Sequence, residues 1–450
     1  MCIRDSPLSI PRPGFRFRSV IRRFAAKFSG GAGNSLYQVS WLLAATIIAG
    51  GFNYLANVLV GNLLGPEEYG VYAALLAFSL ILSAPTSVIR TVVANHSARY
   101  AATSDNLGSL GIWLVSAKKA LLPWAFGAML IIAVISGLIA SFLKIPSSIP
   151  VILLGFSLLP IVLVPVTFGA LQGLQRFGRY GWGQITAAGL RLILGVCLIL
   201  IGWGVSGALL GSVLAGLGAF LLGWWWLRDV HSGSPIQEFE QPEKTGLATE
   251  ISSFSGIVLL SMLGFMVLIY IDTIAVKSRF LPLEAGLYSA MATIGRVVLY
   301  IPSAVVTIMF PRVAGEHAQG NQTKTIAWRA ILVTAGLSCI GVLVFSLEPE
   351  LIMRLLFGQQ FLGEASLLAL YSIAMLLLAV VNVWMLYFLA VQDARYSLFL
   401  LSGAIVIMTI LFFVPLSLSG VVRTLILCNG GLALAGGLLL WRRSDPENGS

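Results

Sequence analysis

The sequence predicts an all-α integral membrane protein, with about twelve transmembrane helices in two homologous six-helix bundles around a central cavity. Three observations carry that prediction. The 450 residues are 58% hydrophobic and only 10% charged, with a mean hydropathy of +0.93, too few charges to coat a water-soluble domain. Apolar runs of roughly 20 or more residues recur, each long enough to cross a bilayer core. A loop motif also repeats. Pro66-Glu67-Glu68-Tyr69-Gly70-Val71-Tyr72 returns as Pro282-Leu283-Glu284-Ala285-Gly286-Leu287-Tyr288, both P-x-E-x-G-x-Y and 216 residues apart. Arg179-Tyr180 matches Arg395-Tyr396 at the same offset, and Pro85 matches Pro302 with a shift of one. Such a collinear set marks internal duplication, which is common in transporters.

In chain order, residues 1–34 form a basic N-terminal tail carrying Arg12, Arg16, Arg18, Arg22, Arg23 and Lys27. Met1-Cys2-Ile3-Arg4-Asp5-Ser6 reads unlike the rest. A cleaved signal peptide is not expected, because the first apolar run is long enough to span and no A-x-A site follows it. Spans are expected near 36–62, 71–95, 120–142, 150–172, 182–203 and 205–227, forming a first bundle over 35–227. A polar linker, 228–249, leads to a second bundle over 250–441, with spans near 251–276, 286–310, 327–347, 365–390, 396–417 and 420–441; a short tail, 442–450, follows. With the N-terminus inside, segments on that side hold about 20 of the 28 Lys and Arg, which places both termini in the cytoplasm and the repeated loops outside. The net charge of +10 is therefore a topology signal, and no nucleic-acid partner is expected. The four cysteines and three histidines are scattered, so neither a metal site nor a disulfide framework is expected, nor any cofactor.

Charges inside spans are costly, and each needs a reason. Ser289, Thr293, Arg296, Tyr300, Ser303 and Thr307 recur at steps of three or four and predict one polar stripe on the eighth span. Ser79, Ser83, Thr86 and Arg90 are its counterpart on the second. The two stripes are expected to face each other across the cavity. At 1.5 Å per residue Arg296 lies about 15 Å from the outer end of its span, near mid-membrane, and Arg90 about 29 Å, near the inner mouth. Arg90 either lines that mouth or snorkels to the interface. Arg191, mid-way along the fifth span, either lines the cavity or pairs with a carboxylate. Asn53 and Asn57 share one face of the first span, where interhelical hydrogen bonding and cavity lining both fit. Asp272 lies one turn from Lys277 and reads as a structural ion pair or as a coupling site for a proton or ion. Glu68 and Glu284 are expected to cap the helices that follow, with Gly70 and Gly286 as turn residues.

Gly65-Pro66-Glu67-Glu68-Tyr69-Gly70-Val71-Tyr72 resembles a motif of the lipid-linked oligosaccharide flippases of polysaccharide biosynthesis. The runs Tyr270-Ile271-Asp272-Thr273-Ile274-Ala275-Val276 and Leu355-Leu356-Phe357-Gly358-Gln359-Gln360-Phe361 are similar to second-half signatures of the same family. The resemblance covers 36–441. It implies membership of the superfamily shared with multidrug and toxin extrusion transporters. It further implies alternating access, with a polyprenyl-diphosphate-linked glycan taken up inside and released outside for O-antigen, lipopolysaccharide or exopolysaccharide assembly at a bacterial inner membrane. The implied partners are membrane lipids and a polymerase and glycosyltransferases of the same pathway. Arg90, Arg191, Arg296, Tyr300, Asn53 and Asn57 are the expected substrate-facing residues, because arginine matches diphosphate geometry. No bond is made or broken in such a transport step. The first span departs from drug-exporting relatives in carrying Asn53 and Asn57 without an acidic residue. Two rivals remain. A cation-coupled multidrug exporter would want intramembrane carboxylates, and only Asp272 qualifies. A membrane glycan polymerase or ligase would want a large external loop, and every outer loop here is short.

Overall fold

A computed structural model of the chain describes residues 32–103, 108–231, 253–319 and 321–442. The expected tails and most of the linker lie outside the described residues. Among those described there is helix and no strand. Among the described residues nine helices are long and apolar enough to cross a membrane, and the bent pair Pro282–Tyr300 and Val305–Ala318 makes a tenth. Two of the nine, Ser40–Leu82 and Phe177–Trp226, run 43 and 50 residues. At 1.5 Å per residue these reach about 65 and 75 Å, twice a bilayer core of about 30 Å. Each is broken at glycines that adopt positive φ, Gly65 at 75° in the first and Gly202 and Gly204 at 97° and 50° in the second. Counted as two passages each, they complete the twelve.

Proline and glycine punctuate the chain. Gly65 turns the backbone and Pro66, with no N–H to leave unpaired, opens the next helical stretch. Pro282 and Pro349 open helices in the same way. The second span is interrupted between Leu82 and Thr86, around Pro85. The eighth is interrupted at Arg296 and again before Ser303, at Pro302, with a bend of 41°. The repeat-matched prolines thus mark matched breaks, where unbroken spans were expected over 71–95 and 286–310.

Six passages of each half pack on one another. In the first, Ile149–Gly173 touches Thr86–Thr103, Gly108–Val134 and Gly204–Trp226, while Phe177–Leu198 lies along Ala32–Leu82. Small residues bring backbones together there, as a Cβ on Gly211 would meet Gly195 N at 2.5 Å. In the second, Leu368–Ala390 is central and touches Lys324–Leu347 and Leu418–Arg442, while Ser253–Arg279 packs on Arg395–Phe413. The halves meet where Ala32–Leu82 crosses Pro282–Gly295 and Ser253–Arg279. One face of the molecule, the motif side, carries the two repeated motifs, and the other, the linker side, carries the ends of the linker. On the linker side the Arg176 guanidinium bonds to Asp229 and holds its carboxyl below the usual range.

Candidate functional site

In the first bundle, Arg191 reaches from the Phe177–Leu198 helix to the first helix. It donates to Asn53 Oδ1 at 2.9 Å, to Asn57 Oδ1 at 3.3 Å and to the Tyr72 hydroxyl at 2.8 Å. Asn53 and Asn57 are one turn apart, so both amides face the same guanidinium. The Arg191 Nε is buried and has no partner. No carboxylate lies within 4 Å of the side chain among the described residues. The structure therefore brings together three predicted site residues plus Tyr72 of the motif, and the positive charge is dispersed over neutral oxygens only. Of the two alternatives for Arg191, the carboxylate pair is not what is found.

Arg296 differs from expectation. It is 7% exposed, and its Nη2 donates to Asp272 Oδ1 at 2.8 Å and to Thr273 Oγ1 at 2.5 Å. Its Nε donates to the Ile269 carbonyl at 3.1 Å. The other Asp272 oxygen accepts from Tyr288 OH at 3.0 Å and Tyr371 OH at 2.8 Å. The partner of Asp272 is therefore Arg296, where Lys277 was expected, and the mid-membrane arginine is not offered to the cavity as a free cation. A buried carboxylate this close is the reason, since an unpaired ion in that interior would be far costlier than the pair. The Tyr270 ring covers the guanidinium at 5.0 Å, and Tyr270 OH meets Tyr300 OH at 2.6 Å. Tyr300 itself is exposed. The expected continuous stripe is broken as well. Ser289 bonds back to its own helix, and Thr293 meets Tyr69 OH at 3.0 Å.

The first-half stripe does border a gap. Ser83, Thr86 and Arg90 line a cavity of about 190 Å³ closed by Pro165 and by Met262 and Met266 of the other half. The Ser83 and Thr86 hydroxyls bond to the Leu80 and Ser83 carbonyls beside the Pro85 break, as serine and threonine in membrane helices commonly do. Arg90 is exposed, with no carboxylate within 4 Å among the described residues. The cavity lies toward the linker side.

The motif side is closed, and the repeated motifs close it. Gly70 and Gly286, expected as turn residues, sit inside helices where the two backbones cross. A Cβ on Gly70 would meet Gly286 N at 3.0 Å, and one on Gly286 would overlap the Pro66 carbonyl. Close approach, not turn geometry, is why glycine occupies both positions. Asn62 Nδ2 donates to Leu356 O at 2.8 Å, and Tyr69 packs on Phe357 and Phe361 with ring centroids 5.3 and 5.9 Å away. Glu284 does cap its helix, accepting from Leu281 N at 3.2 Å. Glu68 lies against Gly204 at the break between the fifth and sixth passages.

Sequence reasoning missed Tyr69, Thr273 and Tyr371. Tyr69 and Thr273 lie within quoted motifs, and a search for hydroxyls near charged span residues would have found them. Nothing local flags Tyr371, which is 99 residues from Asp272 in the chain.

A family model described as polysaccharide biosynthesis protein matches residues 35–317. An uncharacterized protein of Mycobacterium tuberculosis is 27% identical over 270 residues, 56% of this chain and 56% of that one. The chain thus spans little more than half the length of that relative. An uncharacterized protein of Mycobacterium bovis is 24% identical over 442 residues, 93% of this chain and 94% of the other. Among solved structures, the inward-facing conformation of a multidrug resistance MATE family transporter of the MOP superfamily aligns with a TM-score of 0.71 at 17% identity, covering 87% of this chain and 93% of its own. The outward-facing conformation of such a transporter gives 0.60 at 16%, covering 90% and 94%. A Pyrococcus furiosus transporter of that superfamily, described as having a binding pocket of reverse polarity, gives 0.56 at 16%, covering 90% and 93%. These likenesses establish the fold.

Proposed function

The chain belongs to the polysaccharide biosynthesis protein family, and on that premise we propose that it is a flippase for a polyprenyl-diphosphate-linked oligosaccharide. The observation that carries this reading is the Arg191 cluster, a guanidinium inside the first bundle held by Asn53, Asn57 and Tyr72 with no carboxylate beside it. Neutral oxygens orient a guanidinium without cancelling its charge, so an anionic headgroup can exchange for them in bidentate fashion. Arg90 is a second such charge, at the linker-side cavity, and would meet the head first. The sealed motif side fits one end state of alternating access, open toward the linker. Opening the other side would part Gly70 from Gly286 and Tyr69 from Thr293. The glycan would follow the water-lined gap while the polyprenyl tail stays in the bilayer. We place the linker and both termini in the cytoplasm of a bacterium, by the positive-inside rule, with release toward the polymerase and ligase steps of surface-polysaccharide assembly.

The fold shared with transporters described as multidrug resistance MATE family members supports a second reading, a cation-coupled exporter. That function wants an available intramembrane carboxylate. Asp272 is already saturated by Arg296, Tyr288 and Tyr371, which favours the flippase.

Reconstitution decides between them. Full-length protein in vesicles, given a fluorescent polyprenyl-diphosphate oligosaccharide in both leaflets, should expose the inner-leaflet label to an external reductant. Label that stays protected, together with uptake of a cationic dye, would support the exporter instead.

A further inference from the structure

A groove at the seam between the halves, on the motif side, is separate from the cavity described above. Its volume is about 470 Å³, and Phe142 of the first half faces Met408, Phe412 and Phe413 of the second across it. Phe142 and Phe412 approach to a centroid distance of 5.7 Å, while Phe142 and Phe413 remain 51% and 81% exposed. Apolar surface there suits an acyl chain. The polar end of the groove is basic. Arg279 lines it, anchored through Nη1 to the Leu411 and Val414 carbonyls at 2.7 and 2.6 Å. Lys144 crosses from the other half, its Nζ donating to the Arg279 carbonyl at 3.1 Å. Neither Arg279 nor Lys144 has a carboxylate within 4 Å among the described residues. Lys277, buried on the same helix as Arg279, likewise has no carboxylate within 4 Å among the described residues.

The backbone at Lys144 adds an independent argument. Its φ is +53°, and Ile145 N bonds to Ala140 O at 2.8 Å as in a helix C-terminal cap. Glycine is the residue that this left-handed cap position favours. A lysine there accepts strain, and what it gains is an ammonium group at the seam. Two unpaired cations above an exposed aromatic trough, on the side of the molecule that otherwise has few basic residues, complement a phosphate head with hydrocarbon below it.

We propose that this groove is a binding site for one anionic phospholipid, its phosphate on Lys144 and Arg279 and an acyl chain along Phe142, Met408, Phe412 and Phe413. Because residues of both halves line it, an occupant would hold the seam in its present, motif-side-closed arrangement. The site does not depend on the identity of the transported molecule.

Native mass spectrometry of the full-length protein in mild detergent tests this with phosphatidylglycerol and phosphatidylcholine of matched chains. The wild type should keep one phosphatidylglycerol in preference to phosphatidylcholine. Lys144→Gly relieves the backbone and so keeps the fold; it should weaken phosphatidylglycerol by about fivefold, the worth of one lysine beside an anionic head. It should weaken phosphatidylcholine less, because the choline ammonium offsets the charge of its phosphate. Lys119→Gln, an exposed position on the linker side, should change neither. Equal retention of the two lipids, or unchanged phosphatidylglycerol binding in Lys144→Gly, would overturn the proposal. So would a site that retains undecaprenyl phosphate but no phospholipid.

Discussion

Each half sets an arginine against its own first helix, and the acceptors occupy matched positions. Arg191 bonds to Asn53 and Asn57 in the first half; Arg296 bonds to Ile269 and Thr273 in the second, the same positions displaced by 216. The motif tyrosine joins both sites but reverses its role. Tyr72 OH accepts from Arg191, whereas Tyr288 OH donates to Asp272. The residue at the repeat position of Asp272 is Ala56, buried and apolar. One carboxylate therefore separates a neutralised, buried node from a cation that is oriented but not cancelled. The two sites also touch, since Tyr69 packs on Tyr72 at 6.1 Å and bonds to Thr293, one turn before Arg296. Duplicated scaffolds can thus diverge, with one copy neutralising its arginine and the other leaving the charge uncancelled.

The comparison is broken most strongly by removing the carboxylate. Asp272→Asn leaves Arg296 buried without its counter-ion and should destabilise the protein by about 3–5 kcal/mol, read as thermal unfolding in detergent. Adding Arg296→Met should recover part of that loss, because the pair is coupled. If Asp272→Asn unfolds at the wild-type temperature, the second-half node is not structural. A smaller contrast sharpens the same point. The Tyr288 and Tyr72 bonds are both to charged groups, worth about 1.5–3 kcal/mol. Tyr288→Phe, at the fully buried Asp272, should cost the upper part of that range. Tyr72→Phe, at the half-buried and partly water-screened Arg191, should cost the lower part. Equal melting shifts for the two would contradict that divergence.

Much of this was legible in the sequence. Long apolar runs and the repeated motif, with its matched arginine-tyrosine and proline pairs, are enough to give two bundles, because membrane helices satisfy their backbones locally and announce themselves by composition. The Arg191 site was partly legible, since two asparagines one turn apart and an arginine all lie mid-span. The state of Arg296 was not. Whether a charge is free depends on which carboxylate lies across a helix pair, and Asp272 is 24 residues away in the chain. The roles of Gly70 and Gly286 were hidden for a similar reason. A glycine beside a proline motif reads as a turn, and only the crossing of two distant helices reveals it as a contact.

The most direct test supplies Arg191 with what Arg296 has. Asn53→Asp is nearly isosteric and places a carboxylate 2.9 Å from Arg191 Nη1. Binding of a polyprenyl-diphosphate glycan to the purified full-length protein should fall by about tenfold or more, since an ion pair of this kind is worth over 1.4 kcal/mol away from bulk water. The melting temperature should hold or rise. Unchanged or tighter binding in Asn53→Asp would contradict the claim that the open positive charge of Arg191 receives the substrate's head.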